Sequence, residues 1–208
     1  MRQLLSNLSH NFKINLDYTI NSGQVFLWKK IKKKWYGING NDILVLEDTK
    51  KLKENMKNVD YFFRLDDDFE KIAYELKKDI FVRNALEMFP GLRLVRQDPF
   101  QCYISFIVSS NSNIPNIKSR LENLCKMFGL KKIVDGEEFF LFPDPSELAN
   151  ASITDIKKCG LGYRAKAVKS ASLSVINGEI DFDFLKKLDY HTAKKELLKV
   201  FGIGNKVA

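Results

Sequence analysis

The residues of this 208-residue chain best suited to chemistry stand near its end, in Phe201-Gly202-Ile203-Gly204-Asn205-Lys206. Two glycines spaced in this way let a backbone come close to a phosphate. The amides of such a turn, backed by the N-terminus of a following helix, donate to phosphate oxygens without reading base sequence. Lys206 would lie at the opening of that helix, where the positive end of the dipole disfavours an ammonium. A lysine whose pKa falls for this reason, helped by partial desolvation, offers a free amine for attack on an electrophilic carbon such as a sugar C1′. Two plainer readings stay open: the glycines also suit a helix C-cap leading into an ordinary turn, and the lysine also suits simple pairing with a phosphate.

The rest of the chain must position that hairpin. Hydrophobic residues make up 45% and aromatics 12%, enough to bury a core in one large domain or two small ones. Thirty-four Lys and Arg against 26 Asp and Glu give a net charge of +8, which favours a polyanionic partner, either nucleic acid or an acidic membrane surface. The first twenty residues lack the apolar core of a signal peptide, and nowhere do eighteen apolar residues run together, so a soluble intracellular protein is expected. Cys102, Cys125 and Cys159 form an odd set without C-x-x-C spacing. Neither a disulfide framework nor a zinc or iron–sulfur site is indicated, and reduced, mostly buried thiols are expected.

Through about residue 60 the pattern is strand-like, with alternation in Phe12–Leu16 and aromatic or β-branched residues in Val25–Trp28 and Trp35–Ile38. Asn39-Gly40 predicts a hairpin turn, and Ile43, Val45 and Glu47 the returning strand. The Lys29–Lys34 run reads as the solvated face of this hairpin, with direct DNA contact as the alternative. Helical signals begin near residue 68, past acidic Asp60, Asp66, Asp67 and Asp68. Asp98, Pro99 and Gln101 read as N-cap, first helical residue and capping-box partner of a helix carrying Phe100, Ile104, Phe106 and Ile107. Ile114, Ile117, Leu121, Leu124 and Phe128 predict the next helix, with Pro115 near its start and Gly129 at its C-cap. Ser152 with Asp155 opens a short helix that Gly160 can end; Tyr163–Ile176 and His191–Phe201 follow. The glycine hairpin behind the last of these matches the hairpin of a helix-hairpin-helix element. The division expected is residues 1–80, an antiparallel β domain, and 81–208, a helical domain ending inside that motif.

Five ordered segments carry a resemblance over nearly the whole chain. They are Asn21-Ser22-Gly23-Gln24-Val25-Phe26 with Trp28, Gly91–Phe100 with Ser105-Phe106-Ile107, Ser109–Ile114, Gly160–Ala165 and Gly202–Ala208. Together they resemble the 8-oxoguanine DNA glycosylase/AP lyases of the helix-hairpin-helix superfamily. The resemblance implies an α+β fold in which a twisted antiparallel sheet domain precedes a helical domain carrying the hairpin. It also implies an enzyme that flips 8-oxoguanine out of duplex DNA, acts as a monomer, prefers cytosine opposite the lesion, and needs no metal or organic cofactor.

Site roles follow where the motifs coincide. Gly23 corresponds to a glycine whose carbonyl accepts from N7–H of the oxidised base, a proton that normal guanine lacks; on its own it reads as a tight-turn glycine. Asn111 corresponds to the asparagine that fills the gap left by the flipped base, though its local sequence suits an ordinary helix start. Tyr163 corresponds to an aromatic wedge beside the orphaned cytosine and Arg164 to an arginine that bonds it; alone they read as a core residue and an exposed charge. Gly202 and Gly204 correspond to the phosphate-binding turn, and Lys206 to the nucleophile that forms a Schiff base with the opened sugar.

The sequence departs from the pattern where Pro115 is followed by Asn116 in place of an arginine, which predicts relaxed selectivity for cytosine. His10 and His191 match no catalytic position. The chain ends at Ala208, before the second hairpin helix and the aspartate the resemblance leads one to expect. This predicts a truncated frame or fragment with reduced turnover and exposed apolar faces. Three functions compete: the bifunctional glycosylase/lyase, a glycosylase for other damaged purines such as alkylated bases, and a lesion-binding module without turnover. The lysine counts against the second.

Overall fold

The computed structural model describes residues 14–47 and 57–208. They form two compact units, one within Met1–Tyr36 and Leu44–Gln97 and the other of Gly37–Ile43 with Asp98–Ala208. The fold is α+β, with a small antiparallel sheet ahead of a run of helices.

The first unit opens with α1 (Leu16–Ile20), ahead of a three-stranded sheet of order β1-β2-β3, with β1 at Trp28–Ile31, β2 at Lys34–Asn39 and β3 at Asp42–Glu47; the β2–β3 turn and its flanks, Gly37–Ile43, are counted with the second unit. The alternation expected to make a strand around Phe12–Leu16 gives way to a helix, because the Asn15 side chain accepts from Tyr18 N and caps α1; Phe12 and Lys13 lie outside the described residues. Val25, Phe26 and Leu27 are buried, yet only Trp28 of that run joins the sheet. The Lys29–Lys34 run covers the end of β1, the Lys32-Lys33 turn and the first residue of β2, with Lys32 at φ +54° and Lys30 Nζ 5.3 Å from the centre of the Trp35 ring.

Helices begin earlier than the sequence suggests: α2 (Lys57–Phe62), α3 (Phe69–Leu76) and α4 (Ile80–Met88) all belong to this unit. Asp68 caps α3 and Asp79 caps α4, while Asp66 and Asp67 pair with Arg96. Trp28, Phe62 and Phe63 stack with ring centres 5.0–5.9 Å apart in a core completed by Ile20, Val25, Trp35, Leu44, Leu46 and Val59.

The unit runs on to Gln97, past the expected residue 80, because hydrogen bonds tie its last residues back to its start. Residues 91–97 are tied to the N-terminal part by Asn15 N–H to Gly91 O (2.8 Å), Arg93 N–H to Thr19 Oγ1 (3.1 Å), Val95 N–H to Gln24 Oε1 (3.1 Å) and Gln97 Nε2 to Gln24 O (2.8 Å).

The second unit is built on α5 (Pro99–Ser109), α6 (Ile114–Phe128) and α9 (Arg164–Ile176). Between α6 and α9 come the β4–β5 hairpin (Lys131–Val134 and Glu137–Phe140), α7 (Pro145–Asn150) and α8 (Ile153–Ile156); α10 (Phe182–Leu185) and α11 (Tyr190–Leu198) follow. Asp98 accepts from Gln101 N and Pro99 opens α5 as expected, but the Gln101 side chain does not close a capping box. Instead it bridges the β2–β3 turn, accepting from Gly40 N–H and donating to Ile38 O, each at 2.8 Å. That turn runs one residue later than predicted, through Gly40-Asn41, with a positive φ at Gly40 (+58°). Asn39 remains in the strand and accepts from Asp98 N–H at 2.7 Å.

Phe100, Ile104, Ile107 and Val108 of α5 are buried with Leu121 and Leu124 of α6, each such side chain stabilising the fold by roughly 1.5–3 kcal/mol. Gly129 is the C-cap of α6 as expected, its N–H donating to Cys125 O at 2.8 Å, but its φ is −89° rather than left-handed. A Cβ there would lie 1.9 Å from the carbonyl oxygen of Leu141, so only glycine lets the two backbones meet. The β4–β5 hairpin was not anticipated, although Asp135-Gly136 with φ of +53° and +80° carries its turn.

Candidate functional site

The glycine hairpin is held by the apolar residues on either side of Gly202. Val200 and Ile203 are buried, and Ile203 N–H donates to Val200 O at 3.1 Å. Gly202 has φ +84°, and a Cβ on it would stand 2.4 Å from the Cβ of Ala167 on α9. Its glycine requirement is therefore both conformational and steric. Gly204 has no neighbour in the space its Cβ would fill, and its carbonyl accepts from Val207 and Ala208 N–H, as in a first helical turn. One glycine packs the turn against α9; the other leaves an open backbone face.

Three successive carbonyls at the end of α5 collect two cations. Lys206 Nζ donates to Ser109 O at 3.2 Å. Arg164, at the start of α9, donates from Nε to Ser110 O at 2.8 Å and from Nη2 to Ser110 O and Asn111 O, the latter at 2.9 Å. Carbonyls at a helix C-terminus lack intrahelical partners and carry the negative end of its dipole, so cationic donors suit them. The lysine thus meets the negative end of α5, whereas sequence reasoning set it only against the positive end of a following helix. Arg164 is buried, not the exposed charge its local sequence suggests.

Asn111 is exposed and takes φ +48°, a conformation that asparagine tolerates better than most residues. Tyr163 is 66% exposed, which removes the plain reading of a core residue; its ring centre lies 4.5 Å from Arg164 Cζ. The segment leading to it turns at Gly160 (φ +84°) and Gly162 (φ +55°). Sequence reasoning passed over Arg120 of α6, whose Nε donates to Gly160 O at 2.9 Å and whose Nη1 donates to Ser112 Oγ at 2.6 Å. No local motif marks it, because both partners are distant or lie across a turn.

Gly23 belongs to the first unit and has φ +87°, as a turn glycine should. Ser22 Oγ donates to Thr19 O at 2.8 Å, and Gln24 Nε2 donates to Ser22 Oγ (2.8 Å) and Arg93 O (2.9 Å), so the residues flanking Gly23 are fixed. His191 sits in the first turn of α11 with its ring 5.3 Å from that of Tyr190, and His10 lies outside the described residues. Among the described residues there is no cluster of three or more His, Cys, Asp or Glu able to hold a metal, and no helix is long and apolar enough to cross a membrane.

This fold is shared with solved glycosylases. A structure of MBOgg1 in complex with a low affinity DNA ligand matches with a TM-score of 0.85 and 30% identity, covering 94% of this chain and 71% of that one. The Clostridium acetobutylicum 8-oxoguanine glycosylase/lyase, in complex with double-stranded DNA containing cytosine opposite 8-oxoG, matches with a TM-score of 0.85 and 29% identity over 94% and 70% of the two chains. The family model for the 8-oxoguanine DNA glycosylase N-terminal domain matches residues 7–103. A probable N-glycosylase/DNA lyase of Methanothermobacter thermautotrophicus is 30% identical over 172 residues, 73% of this chain and 54% of its own length. The chain belongs to the 8-oxoguanine DNA glycosylase family. It spans about half the length of that relative.

Proposed function

We propose that this chain carries the DNA-docking surface and the nucleophile of a base-excision repair DNA glycosylase with AP lyase activity. Its substrate is 8-oxoguanine in duplex DNA, preferably opposite cytosine, and it acts as a monomer in an intracellular compartment. One observation carries the reading. Lys206 behind the glycine hairpin and Arg164 behind Tyr163 converge on the successive carbonyls of Ser109, Ser110 and Asn111, so candidate nucleophile, wedge and gap-filling asparagine share one end of α5.

On this reading the hairpin amides of Gly202 and Gly204 hold a phosphate while the target base leaves the stack. The Gly23 carbonyl accepts from N7–H of the oxidised base. Tyr163 wedges beside the orphaned cytosine, and Asn111 takes up the vacated space. Arg164 still has Nη1 for the cytosine, because its bonds to Ser110 and Asn111 use Nε and Nη2. Lys206 leaves the Ser109 carbonyl, loses a proton and attacks C1′. The C1′–N bond breaks with its electron pair going to the base, and ring opening gives a Schiff base. Loss of a C2′ proton then expels the 3′ phosphate. None of these steps draws on a metal or an organic cofactor.

A second reading, lesion binding without turnover, is favoured by the same Lys206–Ser109 hydrogen bond, which engages the amine. Binding separates both from a protein that does not act on DNA. Duplex with 8-oxoguanine opposite cytosine should bind more tightly than the guanine–cytosine duplex, and affinity should fall steeply between about 50 and 200 mM salt. Equal binding of the two duplexes, or a flat salt response, contradicts the proposal.

A further inference from the structure

We propose that Arg120 is a positioning residue that fixes the spacing of the two segments carrying Asn111 and Tyr163; this deepens, and rests on, the reading above. Arg120 projects from α6, and its one guanidinium reaches both segments, Gly160 O through Nε at 2.9 Å and Ser112 Oγ through Nη1 at 2.6 Å. The same two segments are joined a second time by Arg164, which belongs to one and donates to Ser110 O and Asn111 O of the other. Two arginines thus cross-tie residues 110–112 and 160–164 from different helices.

Both segments need such ties. Asn111, Gly160 and Gly162 all have positive φ, at +48°, +84° and +55°, and Gly160 breaks the helical φ/ψ of the Lys157–Leu161 turn. Asn111 and Tyr163 are exposed, so packing does not hold their side chains. A planar guanidinium holds two acceptors at a set separation, which an ammonium on a flexible stem does not do. Arg120 would therefore hold wedge and gap-filling residue at a fixed separation before DNA arrives, sparing the complex the entropy of ordering two turns. It need not touch DNA itself.

The test compares wild type with Arg120→Lys, Ser112→Ala and Ser112→Thr by amide hydrogen exchange of the free full chain and by binding to duplex bearing an abasic-site analogue opposite cytosine or adenine. For Arg120→Lys, exchange about tenfold faster in both 110–113 and 160–163 is expected, with unchanged protection in α9, weaker binding and a smaller cytosine-over-adenine preference. Ser112→Ala should loosen 110–113 more than 160–163, and Ser112→Thr, which keeps the hydroxyl, should match wild type. Unchanged exchange in Arg120→Lys overturns the proposal. So does uniform loss of protection across the whole unit, which would make Arg120 a general stabiliser. The exchange result stands without DNA, so wild-type chain that ignores lesion DNA would sink the functional reading alone.

Discussion

Lys206 Nζ donates a 3.2 Å hydrogen bond to the carbonyl oxygen of Ser109, the last residue of α5. The proposed nucleophile is therefore held at a helix C-terminus while its hairpin packs against α9. The acceptor is a backbone atom, so no side-chain replacement at position 109 abolishes it. Ser109→Ala removes only the Oγ bond to Phe106 O and should leave lysine reactivity within about twofold of wild type, read as the trapping rate on abasic DNA.

Gly202 and Ala167 make a second prediction. Gly202→Ala places a methyl 2.4 Å from the Ala167 Cβ at a φ of +84° and should destabilise the protein by about 2–4 kcal/mol. Adding Ala167→Gly removes the clash but not the backbone strain. A coupling of roughly 1 kcal/mol in the double-mutant cycle is expected by urea unfolding. Strict additivity would mean that hairpin and helix do not touch.

Tyr163 and Arg164 are neighbours in sequence with opposite expected phenotypes. Tyr163→Ala removes an exposed ring and should change stability by less than about 0.5 kcal/mol while weakening lesion-DNA binding about tenfold or more. Arg164→Lys breaks the fork onto Ser110 and Asn111 and should cost about 1–3 kcal/mol of stability as well as binding. If Tyr163→Ala melts like Arg164→Lys, Tyr163 has a packing role that its exposure does not suggest.

The thiols give a pH dependence. Burial pushes Cys125 from 9.0 up to about 12, and Cys102 and Cys159 to about 11. Above pH 9 the unfolded chain loses thiol protons that the folded chain keeps, so the unfolded state binds fewer protons and stability falls as pH rises. Their contribution should be fully present below about pH 8, decline from pH 9 and be exhausted above the folded values. Urea unfolding at pH 8 and pH 10 measures it, and Cys125→Ala should reduce the difference by about a third, since the three thiols contribute alike over that range. At pH 8 the folded protein should react slowly with thiol reagents.

The sequence was informative where the cause is local. Asp98-Pro99, Ser152 with Asp155 and the Ile114–Phe128 period become the cap, helix start and helix they predict. It was misleading where distant groups decide. Gln101 turns from its own helix to the Gly40 turn; Gly129 is the C-cap expected, but Leu141 O, not its own φ, is what requires a glycine there. Residues 81–97 look helical or loop-like locally, yet Asn15 N–H to Gly91 O and Arg93 N–H to the Thr19 hydroxyl tie the segment into the first unit. The candidate site was legible as motifs: Asn111, Tyr163, Arg164, the glycine hairpin and Lys206 all sit in recognisable spellings. What joins them, namely Arg120 and the carbonyls at the end of α5, has no spelling at all.

Borohydride trapping tests the central claim most directly. The chain is incubated with duplex DNA carrying 8-oxoguanine, or an abasic site, opposite cytosine, and reduced in parallel with Lys206→Gln. A covalent protein–DNA adduct that disappears in Lys206→Gln is the result expected. An adduct that survives the substitution, or an abasic duplex that yields none with the wild-type chain, would contradict the assignment of Lys206 as the nucleophile.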